Sequence, residues 1–111
     1  MDISLYTSLY RTEAHLDTYI TRARHMIDVL HKAGLTLELV LIANDATDFE
    51  RERIAQLQAA HAHVQVIHVP RETLYASWNR GVRAARADVL APWNVDDDYF
   101  PQALVEGYQH I

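Results

Sequence analysis

Four short runs of apolar, β-branched and aromatic residues alternate along this chain with four longer segments whose apolar residues recur at helical spacing. This alternation constrains the fold more than any other feature. A strand, a helix and a second strand joined in that order give a parallel pair with a right-handed crossover. Repeated, the unit builds a parallel sheet with helices on both faces. The runs at 3–9, 37–43, 64–69 and 88–93 read as strands. The run at 37–43 is apolar at nearly every position, as in a strand buried on both faces. Pro92 places the fourth strand at an edge or a bulge.

The intervening segments read as helices over 13–33, 49–62 and 73–87, with a last helix opening at Pro101, where proline suits the first turn. Leu16, Ile20, Ala23, Ile27 and Leu30 mark the inward stripe of the first helix, which Gly34 ends. Ile54 and Leu57 mark that of the second, capped by Thr47 or Asp48. Leu74, Trp78, Val82 and Ala85 mark that of the third. Gly81 inside this helix implies close packing on a neighbour. With 111 residues and no linker or repeat, the expectation is one α/β domain over 1–111, Rossmann-like, with about four strands in βαβαβαβα order.

Composition narrows function. Ten Lys and Arg against fifteen Asp and Glu give a net charge of −5, unsuited to gripping nucleic acid over a wide surface. The absence of cysteine excludes disulfides, thiolate catalysis and Cys-ligated zinc. No apolar run has the length of a membrane span. The first strand starts too early for a signal peptide to precede it, and the expected location is cytoplasmic.

Ligands of open α/β sheets bind beyond the carboxyl ends of the strands. Ser8, Tyr10 and Arg11 follow the first strand, Asn44 and Asp45 the second, Arg71 and Glu72 the third, and 94–98 the fourth. Asp96, Asp97 and Asp98 repel one another unless water or a cation screens them. Magnesium and manganese accept one or two carboxylates together with phosphate oxygens. The loop therefore reads either as a metal–diphosphate site or as a solvated loop whose Asp98 caps the next helix. Asp45 reads as a turn residue or as an acceptor for the imino hydrogen of a base such as uracil. Tyr10 either stacks on a base or shields the sheet edge, and Arg71 is a candidate ligand contact. His61, His63 and His68 lack the spacing of a metal site. No nucleophile elbow surrounds Ser77.

Four segments together resemble the amino-terminal half of a family 2 glycosyltransferase of the GT-A fold. Residues 3–10 resemble its opening strand and nucleotide-contacting loop. Residues 38–45 resemble the second strand ending in Asp-Asp. Residues 74–90 resemble the helix before the metal site. Trp93-Asn-Val-Asp-Asp-Asp-Tyr-Phe-Pro101 resembles the DxDD segment and its proline. The resemblance implies a nucleotide-sugar donor, most simply a UDP-sugar, and transfer with inversion. It implies Ser8 and Tyr10 at the base and ribose, Asp45 on the base, Asp96 on the ribose or diphosphate side, and Asp97 on a divalent cation, Mn or Mg.

Three departures stand out. Asn44 and Asn94 occupy positions where the family usually has aspartate. Ala46 and Thr47 replace the usual Gly-Ser. The family's acceptor-binding half, which supplies the general base, has no counterpart here, so the expectation is a donor-binding half with an unknown acceptor. The alternative is a module that binds a nucleotide-sugar without catalysis, or dimerises through an unfinished sheet edge. A receiver-like phosphoacceptor would need an acidic pair after the first strand, where Leu9 and Tyr10 stand. A nucleotidyltransferase would need a glycine-rich phosphate loop there.

Overall fold

The computed structural model describes residues 1–110. Strands β1 (Ile3–Leu9), β2 (Leu37–Asn44), β3 (Val64–Val69) and β4 (Val89–Pro92) alternate with helices α1 (Glu13–Lys32), α2 (Asp48–Ala60), α3 (Leu74–Ala84) and α4 (Pro101–Gln109). All pairings are parallel, in the order β3-β2-β1-β4. The expected α/β architecture is present. Among the described residues, no helix is long and apolar enough to cross a membrane.

Alternation along the strands sends neighbouring side chains to opposite faces. Leu5, Leu9, Leu39 and Leu41 join Leu16, Tyr19, Met26, Ile54, Leu57 and Val105 in the main core, beneath α1, α2 and α4. Ser4, Tyr6, Glu38 and Asn44 face the other way, toward α3. β2 lies between two strands and two helical layers, so all eight of its residues are buried.

Local chemistry sets most boundaries. Gly34 sits at φ +79, its amide bonds His31, and Leu35 N bonds Leu30 O. These paired bonds form a Schellman stop. Thr47 and Glu50 form a reciprocal capping box at the start of α2. In α1, Tyr19 and Met26 take the central buried positions, while Ile20 and Ile27 pack from its flanks.

The α3 stripe differs from the sequence expectation. Leu74 and Val82 are 48% and 46% exposed, and Trp78 is half-buried. Ser77 and Gly81 face the sheet instead. The small residues win because α3 lies so close to Tyr6 that larger ones do not fit. A Cβ at Gly81 would fall 2.7 Å from Tyr6 Cβ. α3 also stops at Ala84 rather than 87. The amides of Arg86 and Ala87 are taken by Glu38 Oε1 at 2.8 Å and Ser4 Oγ at 3.1 Å, which draws them out of the helix. Asp98 does not cap α4. Phe100 holds that position, and Asp98 pairs with Arg22 at 3.6 Å.

β4 is an edge strand, as Pro92 implied. Trp93 N bonds Tyr6 O, so Pro92, one residue earlier, points outward, where its missing amide costs nothing. Its carbonyl accepts from Tyr99 Oη.

Gly81→Ala is expected to destabilise the protein by about 1–2 kcal/mol, because overpacking outweighs the helix propensity gained. Gly107→Ala, with nothing within 4 Å of its Cβ position, is expected to add about 0.5–1 kcal/mol. Thermal melts of both variants check this reversal of sign.

Candidate functional site

The chain winds from β1 outward to β3, then crosses back to place β4 on the other side of β1. The reversal puts the sheet's switch point at the carboxyl ends of β1 and β4. Open α/β sheets leave their ligand crevice at this point, because the two neighbouring loops diverge to opposite faces.

A cavity of about 270 Å³ lies there, lined by Ser8, Tyr10, Thr12, Asn44, Glu72, Leu74 and Val95. A second, of about 450 Å³, is lined by Tyr10, Arg71, Glu72, Thr73 and Leu74. Tyr10, Glu72 and Leu74 form the wall between them. A further cleft, lined by Asp2, Leu35, Asp88, Val89 and Tyr108, lies at the amino ends of the strands, away from the switch point.

Tyr10 is half-buried, and the guanidinium carbons of Arg11 and Arg71 lie 5.2 and 5.7 Å from its ring centroid. Cations at such range are attracted by the ring's negative face. The ring therefore already carries two cationic neighbours that a stacking ligand would share. Tyr10 Oη is buried and has no hydrogen-bond partner among the described residues. Arg11 and Asp45 both adopt φ +52, the left-handed region, at the turns beyond β1 and β2.

Two carboxylates hold these turns. Glu50, fully buried, accepts from Thr12 N and Thr12 Oγ1 and from Thr47 N. It thereby ties the loop after β1 to the start of α2. Glu72 accepts from Ser77 Oγ at 2.9 Å and from Arg80 Nε at 2.9 and 3.0 Å. These bonds fold the loop after β3 onto the first turns of α3.

The loop after β4 turns around Trp93, which is buried against Tyr19 and stacked on Tyr99. Trp93 Nε1 donates to Asp97 O at 3.0 Å, and Asp97 N donates to Asn94 O at 3.0 Å. Asn94 Nδ2 donates to Asp97 Oδ2 at 3.1 Å. Burial raises the pKa of the Tyr99 phenol, and the charges of Asp97 and Tyr6 raise it further. It stays a neutral donor near pH 7.

Of the residues singled out by sequence, Ser8, Tyr10 and Arg71 come together around the two cavities. Asp45 is exposed at the end of β2, its amide on Val69 O, and lines neither cavity. Asp96 and Asp97 are exposed one and two residues beyond Val95 and also line neither. The ends of β2 and β4 are separated by β1, hence by about 10 Å. Among the described residues, no three His, Cys, Asp or Glu side chains converge to hold a metal. Asn44, Glu72 and Thr12 line the cavity without having been singled out as ligand contacts. Their local signals are the places of Asn44 and Glu72 at or just beyond strand ends and the Thr73 cap that follows Glu72.

The sequence model described as glycosyl transferase family 2 matches residues 5–111. No curated protein matches the chain.

Proposed function

Because the chain belongs to glycosyl transferase family 2, we propose that the carboxyl end of its sheet binds a nucleotide-diphosphate sugar, a UDP-sugar first, for transfer with inversion. The observation carrying this reading is the cavity beside the β1/β4 switch point, where Ser8, Tyr10, Thr12, Asn44 and Glu72 set polar groups into a lining completed by Leu74 and Val95. Ser8 and Tyr10 take the base and ribose. Asp45 accepts from the base. Arg71 offers its guanidinium to phosphate oxygens, and Asp96 takes the ribose or diphosphate side.

Asp97 is the residue that would hold Mn or Mg. Asp96 and Asp97 present solvent-facing carboxylate oxygens, the hard donors such ions prefer. One or two carboxylates are the protein share of an ion held jointly with diphosphate oxygens. When bound, the cation supplies Lewis-acid neutralisation of the departing diphosphate. The general base that an acceptor hydroxyl needs is assigned to no residue of this chain.

A second reading has a specific basis. The single carboxylate lining the cavities, Glu72, is already bonded to Arg80 and Ser77. That favours a module that binds a nucleotide-sugar without transferring it. Isothermal titration with UDP and Mn, alongside an assay for donor hydrolysis or transfer, separates the two. Heat of binding that EDTA removes supports the site, and turnover decides for the enzyme. No binding with or without metal overturns both readings.

Asp45→Ala is expected to weaken UDP by about tenfold, the worth of one good hydrogen bond, and pyrophosphate much less. Equal losses for the two ligands would remove Asp45 from the base.

A further inference from the structure

The side chain of Asn44 is buried at 1% exposure, and its three hydrogen bonds go to the β3–α3 loop and the first turn of α3. Oδ1 accepts from Glu72 N at 2.9 Å. Nδ2 donates to Glu72 O at 2.9 Å and to Ser77 Oγ at 3.3 Å. The reverse amide orientation would oppose two donors and two acceptors, so the pattern fixes the orientation. Ser77 Oγ in turn donates a hydrogen bond to Glu72 Oε2 at 2.9 Å. Glu72 is thus held by both backbone groups and by its side chain, and Arg71 is its immediate neighbour.

We infer that Asn44 is the positioning residue of the ligand cavity: by exchanging two hydrogen bonds with the Glu72 backbone it fixes the β3–α3 loop and so sets where Arg71 meets the ligand. The ligand's identity rests on the function proposed above. The role of Asn44 does not. The asparagine amide supplies at this length, and at every pH, both the acceptor for Glu72 N and the donor for Glu72 O. A carboxylate here would set its oxygen against Glu72 O, with the Glu72 carboxylate close by. The position therefore demands asparagine where the resembling family usually has aspartate.

Asn44→Asp tests this, since it preserves size and the acceptor while deleting the donor. At pH 8 the variant is expected to bind UDP with Mn about tenfold more weakly than wild type. Toward pH 5.5 the ratio should return to within about twofold, as the new carboxyl protonates and donates again. The charged and titratable groups near it are Glu72, which it bonds, Arg71 next to Glu72 and Arg80 bonded to it, Tyr10 of the same cavity just beyond β1, and Asp45, the residue that follows β2. All are present in wild type, which is measured beside the variant at each pH. Unchanged affinity at pH 8, unfolding at pH 8, or a loss independent of pH overturns the inference.

A readout free of ligand separates this from the functional reading. The Glu72 amide should exchange slowly in wild type and at least tenfold faster in Asn44→Ala, with α3 amides still protected. An equally protected Glu72 amide in that variant overturns the positioning role. A wild type that fails to bind UDP with Mn overturns the proposed function while leaving this measurement decisive.

Discussion

Glu50→Ala is expected to lower the unfolding free energy by about 4 kcal/mol, a large share of the 5–15 typical of a domain. The carboxylate is fully buried and satisfies Thr12 N, Thr12 Oγ1 and Thr47 N. Alanine leaves two backbone amides without their acceptor, at roughly 1–3 kcal/mol each when they stay dry. One of the two, Thr47 N, is the donor to Glu50 in the capping box. Urea unfolding reads the loss as a lowered midpoint at unchanged slope. Burial by itself pushes the Glu50 pKa up, but the hydrogen bonds from Thr12 and Thr47 outweigh it, and the net shift is downward from 4.5.

A depressed folded pKa means the contribution is complete above the unfolded value. It disappears as pH falls below about 4.5 and through the folded value. Glu50→Gln keeps an acceptor but cannot titrate. Its stability should therefore fall less steeply than wild type's in that acid range. Identical acid slopes would show that Glu50 is not the group responsible. The effect reaches the site, because Thr12 lines the cavity and Arg11 beside it holds φ +52.

The elements legible in the sequence were those whose signal is local. β3 runs over the expected 64–69, Pro101 opens α4, Thr47 caps α2 and Gly34 stops α1. Each depends on residues within one turn of each other. The face of α3 was not legible, because its apolar stripe reads inward until the distance to Tyr6 is known. Its end was hidden for a related reason. Glu38 reaches Arg86 across 48 residues of sequence. The site divides the same way. Ser8, Tyr10 and Arg71 follow from the rule that strand ends carry ligands. Asn44 and Glu72 stand at strand ends by the same rule, but their bonding to each other does not follow from it, because an amide paired with a backbone 28 residues away leaves no periodicity to find.

Asp97→Ala is expected to abolish metal-dependent binding of UDP, lowering affinity at least 100-fold, or about 2.7 kcal/mol, while changing stability by no more than about 0.5 kcal/mol. The two halves of this prediction come from different atoms. The loop is held through the backbone of Asp97, whose carbonyl accepts from Trp93 Nε1 and whose amide donates to Asn94 O, and alanine retains both. The side chain is exposed, and its one hydrogen bond is from Asn94 Nδ2 at 3.1 Å. Removing it costs the fold little and removes a hard oxygen that the proposed cation would share with diphosphate. Asp98→Ala is the matched control, because Asp98 faces Arg22 in an exposed pair worth little. Titration of UDP with Mn and again with EDTA should separate wild type from Asp97→Ala only when metal is present. Metal-dependent affinity that survives in Asp97→Ala would move the cation elsewhere. Equal losses in Asp97→Ala and Asp98→Ala would reduce the loop to a diffuse acidic field, since a coordinated ion distinguishes adjacent carboxylates and a screened charge does not.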